Sequence, residues 1–103
     1  MKIIWSLIAH ASFMDIRNTI FDRFGFQAEQ DYIVAVDEVI NQVSKFPDSG
    51  KQELELADDG SVRSVTVRKL TKIIYFVEGE TLCIADVWAI KQDPANLQAR
   101  FEK

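Results

Sequence analysis

One cysteine stands in this 103-residue sequence, so no disulfide can close within the chain. Cys83 lies in an apolar run and is expected to be a small buried hydrophobe of a protein kept in a reducing cytoplasm. One histidine, His10, and scattered carboxylates offer no ligand spacing for a metal, and no Ser-His-Asp or Cys-His set can be drawn. A Gly-rich phosphate loop is missing as well. With four glycines, two prolines and 48% hydrophobic residues, the composition is that of a compact chain without linkers or low-complexity segments. No apolar run approaches the ~18 residues of a membrane span. The apolar start after Met1-Lys2 is broken by Ser6 and His10, with no cleavage signature before Asp15 and Arg17, so no signal peptide is expected. The expectation is one soluble, cytoplasmic domain over residues 1–103, with no cofactor, no metal and no membrane partner.

A basic excess is also lacking, since the net charge is −4. Residues 1–59 hold five Lys or Arg against eleven Asp or Glu, whereas residues 60–103 hold seven against five. If any part of the chain meets phosphate, it is the second half.

What is present is a clear change of period along the chain. KIIWS (2–6) has the look of a short strand. From Leu7, Ala9, Phe13, Ile16, Ile20 and Phe24 recur at helical spacing, and Gly25 stands where a helix ends. A second stripe, Tyr32, Val36, Val39, Val43 and Phe46 with Ile33 and Ile40 beside it, stops before Pro47. So short a connection predicts an antiparallel helical hairpin. KQELEL (51–56) alternates weakly up to the Asp58-Asp59-Gly60 turn, and SVRSVTVRK (61–69) alternates cleanly. KIIYFVEG and TLCIADVWAI then form two strands around Glu78-Gly79-Glu80. The tail after Pro94 suits a helical turn. The order β-αα-β(β)ββ predicts an α+β fold, with a helical hairpin packed on a small, mainly antiparallel sheet.

The strand KIIYFV is apolar on both faces. Ile73, Tyr75 and Val77 alternate to one side, which the helices are expected to cover. Ile74 and Phe76 alternate to the other beside Lys72, a face with no layer of its own and therefore a candidate docking surface. Trp5 and Trp88 are expected in the core. Asp86, inside ADVW, is the polar residue out of place; it is expected to pair across strands with Arg68 or Lys72, or to steer a basic site. His10 is taken as a polar residue of the first helix.

MKIIWS at the start, SKFPDSGK closing the hairpin, VRSVTVRKLTKIIYFVEGETLCIADVW and the closing KQDP together resemble the RelE/ParE superfamily of bacterial toxins, over essentially the whole chain. The resemblance implies the toxin of a type II toxin–antitoxin module of the plasmid-stabilisation kind, inhibiting growth when not held by a cognate antitoxin. It implies that the antitoxin covers the sheet face of Ile74 and Phe76. One branch of the family cleaves mRNA on the ribosome, and the other poisons DNA gyrase without hydrolysis. The nuclease branch keeps basic residues where this chain has Lys72, opening a strand, and Lys91, following the last one. With Arg68 they are the candidate catalytic residues, able to place positive charge on a scissile phosphate. A Tyr or His often assists near the end of the chain, and none follows Tyr75 here. Ribosome-dependent mRNA cleavage is the expected activity. The alternatives are a non-enzymatic toxin of DNA gyrase or another protein, and a degenerate member that binds its antitoxin alone.

Overall fold

The computed structural model describes residues 1–90, as β1 (Lys2–Trp5), α1 (Leu7–Phe24), α2 (Phe26–Lys45), a 3-10 turn (Pro47–Ser49), β2 (Lys51–Gln52), β3 (Val62–Val67), β4 (Thr71–Glu78) and β5 (Thr81–Ala89). Lys91 and the tail expected to turn helical after Pro94 lie outside the described residues. The five strands form one sheet in the order β1-β5-β4-β3-β2. β1 runs parallel to β5 and the other pairs are antiparallel. No described helix is long and apolar enough to cross a membrane.

Ser6 is the joint between layers. Its amide donates to Ile84 O (3.0 Å), continuing the pairing of β1 with β5. Its Oγ accepts from Ala9 N (2.9 Å) as the cap of α1 and donates to Ala85 O (2.8 Å). One side chain thus starts the helix and pins it to the sheet. At the other end Gly25, at φ +93°, is the whole connection between the helices. A side chain at that positive φ is strained, which is why glycine stands there. The hairpin is held antiparallel by Arg17 Nε to Glu29 Oε2 (3.2 Å) and by the Phe13–Tyr32 ring contact at 6.0 Å.

The core lies between this hairpin and the sheet. Tyr32, Val36, Ile40 and Val43 of α2 bury against Val67, Ile73, Tyr75, Leu82, Ile84 and Val87. Each such side chain contributes about 1.5–3 kcal/mol on burial. Ala9, with no side chain beyond its methyl, lets α1 approach β5 closely, and Trp5 stacks at a tilt on Phe13 (5.1 Å). Ends of the expected helical stripes stay outside the core: Phe24 and Phe46 are exposed.

Two stretches depart from the expected strands. After Lys51-Gln52 the chain leaves the sheet, because Leu56 N and Ala57 N both bond to Glu53 O (3.0 and 3.1 Å) and close a turn. β3 ends at Val67, and Arg68 and Lys69 form the turn to β4 at φ 51° and 59°, closed by Leu70 N to Val67 O (2.9 Å). Positive φ at both central residues gives the twist that tight hairpins prefer.

Candidate functional site

Two surfaces collect the residues with chemical potential. The first is an apolar groove of about 1010 Å³ between the helical hairpin and the ends of β4 and β5. Ile16, Ile20 and Phe24 line one wall, and Leu70, Val87 and Trp88 the other, with Arg23 and Arg68 among the polar residues on its lining. Trp88 is 42% exposed, a correction to its expected place in the core. The physical reason is the neighbour that looked out of place. Asp86 accepts from Trp88 Nε1 through Oδ2 (2.8 Å), and from Ser12 Oγ and Val87 N through Oδ1 (2.8 Å each). Asp86 therefore holds the indole by its N–H at the groove, and it is engaged there instead of by Arg68 or Lys72 as expected. A slip in register permits this. Ile74 pairs with Asp86 but Tyr75 pairs with Ile84, so Ala85 is an extra residue that bends β5.

The second surface is a smaller depression of about 500 Å³, lined by Ser64, Thr66, Lys51 and Lys72 among others. Here Lys72 Nζ lies 3.0 Å from Glu53 Oε2, and Ser64 Oγ donates to the same oxygen at 2.5 Å. The Ser64 hydroxyl first and Lys72 second hold the Glu53 carboxyl below its ordinary pKa. The side chains are 28% exposed for Lys72 and 15% for Glu53.

The structure does not bring the expected catalytic set together among the described residues. Arg68 opens on the groove and Lys72 on the depression. Lys91 is outside the described residues. The face expected to lie bare is also different: Ile74 is 3% exposed, and Phe76 is partly buried. β4 is the central strand, so Ile74 has Ser64 and Asp86 opposite it on either side. Its short side chain sits in the middle of the sheet, between Lys72 and Phe76. Cys83, across from Phe76, is half-buried and not enclosed as expected. His10 is exposed on α1. Sequence reasoning missed Trp88 and Glu53 as surface-site residues. The signal for the first was the acid two residues before the tryptophan; Glu53, in a weakly alternating segment, carried none.

Two buried tyrosine hydroxyls frame these surfaces. Tyr32 Oη and Thr71 Oγ1 lie 2.9 Å apart at the floor of the groove. Tyr75 Oη donates to Pro47 O (2.8 Å) and accepts from Gly50 N (3.0 Å), anchoring the segment that leads into β2 and Glu53. Burial pushes both phenols above their ordinary pKa, so they stay protonated.

No family model and no curated protein matches the sequence. The fold has a solved counterpart. The chain is similar to a chain of the chromosomal ParDE TA system from P. aeruginosa, with a TM-score of 0.72 at 16% identity, covering 88% of this chain and 97% of that one. At that identity the likeness is one of fold, and the RelE/ParE-like α+β architecture expected from the sequence is the one present.

Proposed function

We propose that this chain is the toxin component of a type II toxin–antitoxin module. In this reading it acts in the cytoplasm, is held inactive by an antitoxin segment lying in the groove beside Trp88, and inhibits its target by binding. The solved counterpart from a ParDE TA system supports the module. The groove supports the partner, because a large apolar concavity with an exposed, oriented tryptophan is where binding energy concentrates. On the sheet face first expected to meet the antitoxin, a partner would reach Phe76 and little of Ile74.

The observation that carries binding over catalysis is the Lys72–Glu53 pair. A lysine already met by a carboxylate has less charge to offer a scissile phosphate. With Arg68 on a different cavity, a protein target such as DNA gyrase fits better than a nucleolytic site. A second reading, mRNA cleavage with Lys72, Lys91 and Arg68, draws support from the exposed Arg68-Lys69 turn and Trp88, since basic and aromatic groups together suit single-stranded RNA. Induced expression without the antitoxin, with translation and DNA breakage measured separately, tests the choice. Binding predicts growth arrest with DNA breaks, retained when Lys72 and Lys91 are both changed to Ala. Halted translation that this double variant abolishes, in a protein with unchanged circular dichroism, refutes it in favour of cleavage.

A further inference from the structure

We propose that the outward face of α1 is a short coiled-coil seam by which two copies of this chain pair in parallel, with Asn18 setting the register. The pairing is independent of the toxin reading and leaves the groove beside Trp88 open.

α1 is apolar on two sides. Ala9, Phe13, Ile16 and Ile20 belong to the core or pack against it. Leu7, Ala11, Met14, Asn18 and Phe21 follow one another at alternating steps of four and three. At about 3.6 residues per turn that spacing draws one stripe, on the side away from the sheet. Leu7 is 91% exposed and Phe21 48%; Ala11 and Asn18 are exposed and Met14 is half-buried. Single exposed apolar residues are ordinary, but these four lie on one line. α1 packs on β5 and α2 by its other sides, which leaves the stripe largely to solvent.

In heptad terms Leu7, Met14 and Phe21 are d positions, and Ala11 and Asn18 are a positions. Two features select a second copy of this chain over another apolar partner. The first is the lone asparagine. In a parallel pair each a residue faces its own counterpart, and one Asn at a specifies register and strand number. The second is charge. His10 and Arg17 stand at g, and Asp15 and Asp22 at e. A parallel pair brings g of one helix to e in the partner's next heptad, so His10 meets the partner's Asp15 and Arg17 meets the partner's Asp22. An antiparallel pair sets e against e, and therefore aspartate against aspartate. Arg17 keeps donors for this contact. Glu29 takes its Nε and Met14 Sδ its Nη1 (3.5 Å), and a guanidinium carries five N–H groups.

α2 meets α1 on the flank of Phe13 and Arg17. A two-fold axis along the seam puts the second α2 on the opposite flank, clear of the contact. The groove opens on Ser12, Ile16, Thr19 and Arg23, a further side of the same helix. With 18 residues, α1 spans about two and a half heptads. That is a small interface, and the expected Kd is on the order of 10–100 µM.

The test uses the whole purified chain. Sedimentation equilibrium from about 5 to 500 µM should show a monomer–dimer equilibrium. Leu7→Lys and Phe21→Lys should each weaken it by at least ~10-fold, by placing a charge in the seam. Trp88→Ala should leave it unchanged, which separates the seam from the groove. In a Cys83→Ala background, Asn18→Cys should oxidise readily to a linked dimer, whereas Asn41→Cys, exposed on α2, should not. A parallel seam holds the two positions within disulfide reach, and an antiparallel one carries them apart. A chain that stays monomeric over the whole range overturns the proposal. So does a dimer indifferent to Leu7→Lys, or Asn18→Cys cross-linking no better than Asn41→Cys. A monomeric parent that loses the adjacent reading frame's product on Leu7→Lys assigns the stripe to that partner, and overturns it too. Should Phe21→Lys fail to fold by circular dichroism, Leu7→Lys decides alone, at a position already open to solvent.

Discussion

Replacing Tyr75 with Phe removes one oxygen and should cost far more than a surface substitution. That oxygen donates to Pro47 O at 2.8 Å and accepts from Gly50 N at 3.0 Å. Tyr75 is 1% exposed and Gly50 is buried, so water cannot reach the amide that loses its acceptor. Leaving a buried donor unpaired costs about 1–3 kcal/mol, and with the loss of the second bond the expected total is about 2–3 kcal/mol. For a domain of this size that lowers Tm by roughly 10–20 °C. Gly50→Ala attacks the same contact from the other side. An added Cβ would stand 2.8 Å from Tyr75 Cε1 and 2.9 Å from Ser64 O, with the phenol oxygen nearer still. Overpacking of that kind costs about 1–3 kcal/mol. Because Tyr75→Phe deletes the atom the new methyl meets first, the double variant should be less destabilised than the two singles together, by about 1 kcal/mol. Calorimetric unfolding of the four proteins reads this out. A Tyr75→Phe protein melting within about 3 °C of the parent, or strict additivity, would refute the account of this anchor.

Trp88→Ala should weaken binding of the product of the adjacent reading frame by at least ~30-fold, the scale of a hot-spot residue, with little change in Tm; unchanged affinity by calorimetric titration removes the groove as the partner's seat. Asp86→Ala frees the indole N–H and orphans Ser12 Oγ, so tryptophan fluorescence should shift and stability fall by about 1–3 kcal/mol; a spectrum identical to the parent's would contradict Asp86 as the group that orients Trp88. The Glu53 carboxyl has a folded pKa below its unfolded value, so its stabilisation is present above the unfolded pKa and disappears as pH falls through the folded one. Ser64→Ala/Lys72→Met removes both donors, so its stability should fall less steeply with acid than the parent's, and an equally steep acid limb of Tm against pH speaks against the pair. The raised phenol pKa of Tyr75 works in the opposite sense: its contribution holds below pH 10 and is lost as pH rises through the folded value, so Tyr75→Phe should flatten the alkaline limb of Tm against pH.

The sequence alone determined the helical hairpin, the strand order along the chain and the α+β class, because these follow from local periodicity and from a few residues of restricted conformation. Ser6 caps, Gly25 turns and Pro47 stops a helix whatever else surrounds them. The RelE/ParE-like arrangement was legible for the same reason, as an order of short patterned segments. The sites were not, because each depends on residues that sequence places far apart. Asp86 is satisfied by Ser12, 74 positions away, and only the slipped register of β4 on β5 turns that acid, and Trp88 with it, to the groove. Lys72 meets Glu53 from 19 positions away, because the chain leaves the sheet after Gln52 and brings a carboxylate back over β3 and β4. Ile74, bare by alternation alone, is covered because β4 came to occupy the centre of the sheet. Alternation tells which residues share a face; which face is enclosed, and which charge is already answered, is decided by the packing of segments distant in the chain.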